Sequence, residues 1–571
     1  CDNTLPEVIE AMTAFAENEL GKGVVLCKDT PNFIANRFAS SAGAFELGYA
    51  IDHGFTIDEV DALCGPLIGR PKTAVFRLLD LIGLDVMKHV NTNLYDAIPA
   101  DESRELLRHP RVVEVMETLV DQGWLGNKTQ VGFYKRVEEG GKKDFWTLDF
   151  DTMEHTPPTK PRFDSVGKYR KLEPLGARIK AMVEAEDRAG EYIRNAIYHR
   201  LTYASRRIPE IADDLVSIDN AIKWGFAHEM GPFEEWDALG VTEAVERMEA
   251  AGFEVAGWVK CMLANGCPTF YQYEGSVPVG YYDLDRQGYV LFPDKPREIK
   301  VAVLHAQGCE VEGNEDASIL DLGDGVALFE LHSKSNTITE GVIDVGYRAI
   351  ELLNTDFNGL VISNDGEMFS AGANLDLAAL QQKAAAEGVT PAQVIERIVD
   401  RLQQMMLGFR YAPKPVISAP FNLALGGGAE MVMAPDRVVA AAELYIGQVE
   451  VGVGLLPSAG GCKELLRRVV NPVMHIPNAD PIPVMQKVIE TIAMAKVATS
   501  AREAQELGFL SPCDRVVINR DHLLYEAKRE VIHLYESGYR PPIPEKIYAA
   551  GRDVLAALDV SIFMYVDAGY M

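Results

Sequence analysis

The sequence predicts a multidomain chain: two all-α units, then an α/β unit. Three observations carry that reading. Apolar residues recur at helical spacing in LPEVIEAMTAFAENEL and again in ANRFASSAGAFELGYAI. A later stretch repeats an earlier one, SIDNAIKWGFAHEMGPFEEWDALGV from Ser217 against TIDEVDALCGPLIGRPKTAVFRLLDLIGLDV from Thr56. From residue 316, short apolar runs (GVALFEL, GLVIS, KPVISAP, DRVVAAA) alternate with helical stretches such as TPAQVIERIVDRLQQMM. That alternation is the signature of an α/β domain.

Taken in order, residues 1–137 form the first helical domain, closed by GWLGNKTQVGFYK. Residues 138–165 are rich in Gly, Pro, Lys and Asp and read as a linker with one short hairpin. The second helical domain spans 166–275. Phe76, Asp80 and Gly83 pair with Phe233, Asp237 and Gly240 at one constant offset, and Ile57 and Asp58 pair with Ile218 and Asp219 after a small gap. Both copies run to a Gly-aromatic or aromatic ending, VGFYK and TFYQY. A second linker, 276–315, carries β-like pieces such as GYVLF, and the α/β domain fills 316–571.

The bulk numbers exclude several classes. At 571 residues the chain exceeds one ordinary core. A net charge of −29 without a basic stripe argues against nucleic-acid partners. No run of about 18 uncharged apolar residues occurs, so no membrane span is expected. The opening CDNTLPEVIEAM has neither a basic region nor an apolar signal core, and it reads as the middle of a domain, so a longer protein is expected. A bacterial cytoplasm is the expected compartment, with an organelle matrix as the alternative. The eight cysteines are scattered, with no CxxC pair, which predicts neither a metal site nor a disulfide framework.

The chemistry concentrates in three ordered pieces: FSAGANL (369–375), LGGGAEMVM (425–433) and YIGQVEVGVGLLPSAGG (445–461). The glycine triplet follows the strand-like PVISAP and precedes a helix-like run. Glycines at such a turn allow positive φ and close approach of a ligand to the backbone. Amides at a helix start can hold a developing oxyanion. If the FSAGANL turn faces the triplet, two N–H groups grip one oxygen, and each such donor is worth about 2.7–4 kcal/mol to a transition state. Glu430 falls in the first turn of the helix and Glu450 lies among apolar neighbours in GQVEVG. Two carboxylates beside one oxyanion hole can divide acid and base roles once their environments move their pKa values apart. Read singly, each has a plainer explanation: Glu430 as a solvated charge favouring the helix dipole, Glu450 as a loop charge, the glycines as packing.

Together the three pieces resemble the crotonase (enoyl-CoA hydratase/isomerase) family over roughly 316–530. The resemblance implies an oxyanion hole from the amides of Ala373 and Gly427, the carbonyl of Ala371 near the adenine of CoA, and Glu430 and Glu450 as the two hydratase acids. It implies hydration of trans-2-enoyl-CoA to 3-hydroxyacyl-CoA without a cofactor. Ser458 departs from the family, which usually has glycine after Leu-Pro.

The front half carries GKGVVLCKDTPNFIANRF (21–38), which reads as a strand, a Pro turn and a helix start capped by Asp29 or Thr30. The plain reading leaves Asn36 and Arg37 on the surface of a capped helix. The stretch resembles the C-terminal domain of 3-hydroxyacyl-CoA dehydrogenases, with Asn32 where that family usually has glycine; LLDLIGLD and LGNKTQVGFYK extend the match over about 1–135. The resemblance implies that Asn36 lies on the substrate side of the dehydrogenase site. The second copy keeps GPFEEWDALG but has lost the Pro-Gly-Phe motif, and a structural role is expected for it. No GxGxxG follows a strand, so NAD, expected for the intact dehydrogenase, has no site here. The whole reads as a bifunctional fatty-acid β-oxidation enzyme acting on acyl-CoA thioesters, hydratase last. The alternatives are an enoyl-CoA isomerase, which needs one carboxylate, and a silent acyl-CoA-binding or assembly module, a homo-oligomer built through its helical repeats.

Overall fold

The computed structural model describes residues 4–139, 142–275, 277–374 and 377–567. Leu375, the last residue of FSAGANL, and Cys1 lie outside the described residues. The chain divides into two compact units. One holds Gly23–Glu274 and Pro278–Pro293; the other holds Glu7–Lys22 and the chain from Asp294 onward.

The first unit is helical with small β-hairpins. The sequence predicts 1–137 and 166–275 as separate domains, but from Gly23 onward the structure packs them around one core. Ile34, Phe38, Phe76 and Phe133 share that cluster with Tyr192, Ile197, Phe233 and Phe270. The same hydrogen-bonded arrangement occurs twice in it. Asp61 accepts from the amides of Val75, Phe76 and Arg77 and from the Tyr134 hydroxyl. Asp219 accepts from the amides of Phe233 and Glu234 and from the Tyr271 hydroxyl. Asp80 then takes the amides of Phe133 and Tyr134, and Asp237 takes those of Phe270 and Tyr271. Phe76 meets Phe133 edge-on at 4.9 Å, and Phe233 meets Phe270 at 4.9 Å. The counterpart of Asp219 is therefore Asp61, three residues beyond the expected Asp58. Asp58 instead accepts from Thr147 and Thr159.

Three local expectations change. GKGVVLC forms no strand, because residues 21–28 pair with nothing in a ladder. The helix after it, Ala35–Asp52, has no side-chain cap; Asn32 and Phe33 intervene with φ of 63° and 52°. Asparagine tolerates that left-handed region better than most residues, so it can replace the expected glycine. The 138–165 linker does hold a hairpin, Tyr134–Glu139 against Lys142–Leu148, antiparallel.

The second unit is built on a seven-stranded sheet. Its spatial order is Arg515–Val517, Arg437–Ala441, Val416–Ser418, Gly359–Ser363, Val326–Leu331, Ala317–Asp321 and Glu310–Gly313. The first five are mutually parallel; Ala317–Asp321 pairs antiparallel with Val326–Leu331, and Glu310–Gly313 pairs antiparallel with Ala317–Asp321. The strand Glu310–Gly313 pairs with Ala317–Asp321, so the expected 276–315 linker ends inside this sheet. The helix Pro6–Asn18, expected in the first helical domain, belongs here: Asn519 donates to the Glu17 carbonyl and Arg297 to Asn18. Along Val326–Leu331, Ala327, Phe329 and Leu331 enter one core while Val326 and Leu328 enter another. Both faces of the sheet are covered, which is why its strands read as unbroken apolar runs. A small sheet, Asn422–Leu425, Leu444–Gly447 and Val497–Ala498, stands beside it and carries the site.

Candidate active site

Two glycine turns are stitched together in the second unit. Ser370 donates its amide to the Leu423 carbonyl, and its own carbonyl accepts from Leu425, a short parallel bridge to the strand that ends in the glycine triplet. Gly426 takes φ 52°, ψ −122° and caps the helix Gly427–Met433. Gly372 takes φ 99°, and a Cβ there would lie 2.8 Å from the Leu425 carbonyl oxygen and 3.2 Å from the Gly427 nitrogen. A side chain is excluded at Gly372, so the two backbones approach closely there.

The Ala373 amide nitrogen lies close to the Gly427 backbone. A Cβ built on Gly427 would fall 3.2 Å from the Ala373 nitrogen. Ile338 bridges this segment through the Gly372 carbonyl and the Asn374 amide. In a parallel bridge the intervening residue points its own N–H the other way, so the Ala373 N–H is directed away from Ile338. Gly427 is the first helical residue, whose amide has no intrahelical acceptor. Ala373 and Ala371 are exposed.

The two carboxylates stand at the same place. Glu430 is 4% exposed, and its Oε1 accepts the Gly461 amide at 2.8 Å. Burial, joined by the neighbouring charge of Glu450, pushes its pKa up to about 7 against the pull of that amide. Burial also raises Glu450, whose Oε2 is buried without a hydrogen-bond partner among the described residues. Glu450 opens a 3-10 turn, Glu450–Val453, and its Oε1 lies 3.5 Å from where a Gly426 Cβ would be. The Cys462 thiol, already raised by burial, is raised further by both carboxylates.

Sequence reasoning missed Gln448 and Gly461. Gln448 is fully buried, and neither its Oε1 nor its Nε2 has a partner among the described residues. A Cβ on Gly461 would sit 1.5 Å from that Nε2 and 3.0 Å from Glu430 Oε1. The motif contained both residues; what it lacked was any sign that they meet Glu430.

Asn36 lies in the other unit. It is exposed near the start of Ala35–Asp52, while its neighbour Arg37 is fully buried, bonded to Asp101 at 2.7 Å, Tyr203 at 2.9 Å and Glu210 at 2.9 Å. The surface reading thus fits Asn36 and fails for Arg37.

The model of the enoyl-CoA hydratase/isomerase family matches residues 321–475, and that of the 3-hydroxyacyl-CoA dehydrogenase C-terminal domain matches 33–136. A "Probable 3-hydroxyacyl-CoA dehydrogenase" of Bacillus subtilis (strain 168) is 40% identical over 569 residues, covering 100% of this chain and 69% of the relative. The chain belongs to this 3-hydroxyacyl-CoA dehydrogenase family. A "Putative fatty acid oxidation complex trifunctional enzyme" of Rickettsia felis is 26% identical over 97% of this chain and 69% of that protein. A solved enoyl-CoA hydratase from Bacillus anthracis is 24% identical over 39% of this chain and 78% of its own, with a TM-score of 0.31. This member of the dehydrogenase family is a fusion: it joins the dehydrogenase's helical C-terminal region to a crotonase-fold hydratase domain, and it is an enzyme of fatty-acid β-oxidation with lyase and oxidoreductase parts. Among the described residues no helix is long and apolar enough to cross a membrane, and no His, Cys, Asp and Glu cluster could hold a metal ion. The dehydrogenase family implies NAD, but no strand–GxGxxG–helix turn occurs in the sequence. The residues present do not fit that cofactor.

Proposed function

We propose that the second unit adds water across trans-2-enoyl-CoA at the space between Ala373 and Gly427. The observation that carries this reading is the closeness of the two turns, where a Cβ added to Gly427 would fall 3.2 Å from the Ala373 nitrogen, with Glu430 and Glu450 beside them. The thioester oxygen sits between the two amides, which stabilise it as it gains enolate charge. Glu430 activates water toward C3 and Glu450 delivers a proton to C2. Burial raises both groups, Glu430 to about 7, and the two carboxyls interact, so Glu430 is free to act as a base as pH rises through that value. The Ala371 carbonyl lies toward the adenine of CoA.

The first unit is proposed as the substrate side of the dehydrogenase, with Asn36 beside the reacting group. Oxidation of the 3-hydroxyacyl-CoA with NAD is assigned to the protein together with a nucleotide-binding domain of the family's kind. The doubled Asp–Phe–Tyr arrangement supports two copies of one helical domain, the expected 1–137, now without the helix Pro6–Asn18, and 166–275, the second structural. The hydratase domain is proposed to occupy 316–571 together with the strand just before it. A bacterial cytoplasm fits the bacterial relatives.

The test is loss of enoyl absorbance with crotonyl-CoA, without NAD, for the chain and for Glu450→Gln. General acid–base groups contribute about 10²–10⁴-fold, so the variant should lose at least about a hundredfold in kcat. Equal turnover by both proteins would sink the assignment; retained isomerase activity in the variant would favour the isomerase reading.

A further inference from the structure

The helical unit contains a cavity of about 960 Å³, near the top of the ~300–1,000 Å³ that small-molecule sites span. It follows one face of the helix Ala35–Asp52, where Asn36, Ala39, Gly43 and Glu46 line it at spacings of three and four. At a rise of about 1.5 Å per residue, Asn36 and Glu46 stand roughly 15 Å apart along that face. The helix opens there instead of packing: a Cβ on Gly43 would meet no atom within 4 Å. The facing walls are apolar, with Leu78, Ile82 and Val90 from one half of the unit and Ile222 and Trp224 from the other. The far end is charged, where Arg70 Nη2 meets Glu46 Oε1 at 2.7 Å, both side chains buried.

We infer that this cavity takes the alkyl tail of the 3-hydroxyacyl thioester and is sized for about ten carbons beyond C3, a chain of roughly thirteen in all. The inference rests on the reading that Asn36 faces the reacting group. A carbon–carbon bond spans at most about 1.5 Å, so a tail running from C3, beside Asn36, to Glu46 needs at least about ten further carbons. A four-carbon substrate leaves most of the apolar wall without contacts. The Glu46–Arg70 pair closes the far end, because a longer tail would have to separate two buried charges. Ile222 and Trp224 give the second half of the unit a part in chain-length choice, although it lacks the Asn36 motif.

The experiment is kcat/KM for NAD-dependent oxidation of four-, ten- and sixteen-carbon 3-hydroxyacyl-CoA by the enzyme as it occurs in the cell, and by its Gly43→Leu and Gly43→Ala variants. The ten-to-four-carbon ratio should exceed about tenfold in the unchanged enzyme. Gly43→Leu should lower that ratio at least about tenfold, since each buried methylene is worth about fourfold in binding. Gly43→Ala, which favours the helix, should lower it less and decides the matter if the leucine variant does not fold. A flat chain-length profile in the unchanged enzyme overturns the inference alone, as does a ratio unmoved in the folded variants. No oxidation at any length overturns the Asn36 reading and this inference with it.

Discussion

Glu430 shows how much of the site a motif can convey. Its position two residues after the triplet announced a carboxylate in the first turn of a helix, and the structure places it there. Its burial and its bond to Gly461 were not legible, because that contact joins segments 31 residues apart. The consequence is measurable. Burial moves its pKa from the ordinary 4.5 to about 7. Between those values the folded protein holds a proton that the unfolded chain has released, so stability falls as pH rises through that window and is level above it. At about 1.4 kcal/mol per unit, the loss is about 3 kcal/mol. Glu430→Gln, which keeps an acceptor for Gly461, should recover most of it at pH 8 and flatten the slope between pH 5 and 7. Thermal unfolding followed across that range checks this; an unchanged slope would show that Glu430 is not the titrating group. Asn32 is the opposite case. It looked like a departure from the family, but its φ of 63° shows that it does the work of the missing glycine.

The helical hairpins were legible as elements because a repeated pattern of apolar and glycine positions survives in sequence. Phe76 and Phe233 matched, as did Asp80 and Asp237. The capping carboxylate was misplaced by three residues, since Ile57-Asp58 resembles Ile218-Asp219 in letters while Asp61 does the physical work. A carboxylate that receives several helix-start amides is fixed by where those amides point, which spelling does not record. GKGVVLC failed for a related reason: β-branched residues favour a strand only where a neighbouring strand supplies the ladder. The two caps give a paired prediction. Asp61→Ala strands three amides and a hydroxyl, and Asp219→Ala strands two amides and a hydroxyl. Each should destabilise the helical unit by about 2–3 kcal/mol, from unsatisfied buried donors and a lost cap. Urea unfolding followed by far-ultraviolet circular dichroism would test it. A large loss for one and none for the other would argue against equivalent roles.

At the scale of the whole molecule, three expected domains became two compact units. Sequence composition marked a Gly- and Pro-rich break at 138–165, yet the residues on either side of it share the core that contains Phe76 and Phe233. Linker-like composition reports turns, and whether a core continues past them depends on which apolar faces remain uncovered. The α/β unit keeps its own cores, one containing Phe329 and Met405, the other Leu328 and Val531. Separate cores are the physical basis for separate cooperative unfolding. Calorimetry on the chain should therefore resolve two transitions. Asp61→Ala should lower only the one belonging to the helical unit, and Glu430→Gln should shift only the other with pH. Crotonyl-CoA hydration, sampled along the same temperature ramp, should disappear with the α/β transition. Loss of hydration at the helical transition, or one transition moved by both substitutions, would mean that the two units unfold as one and that the site depends on both.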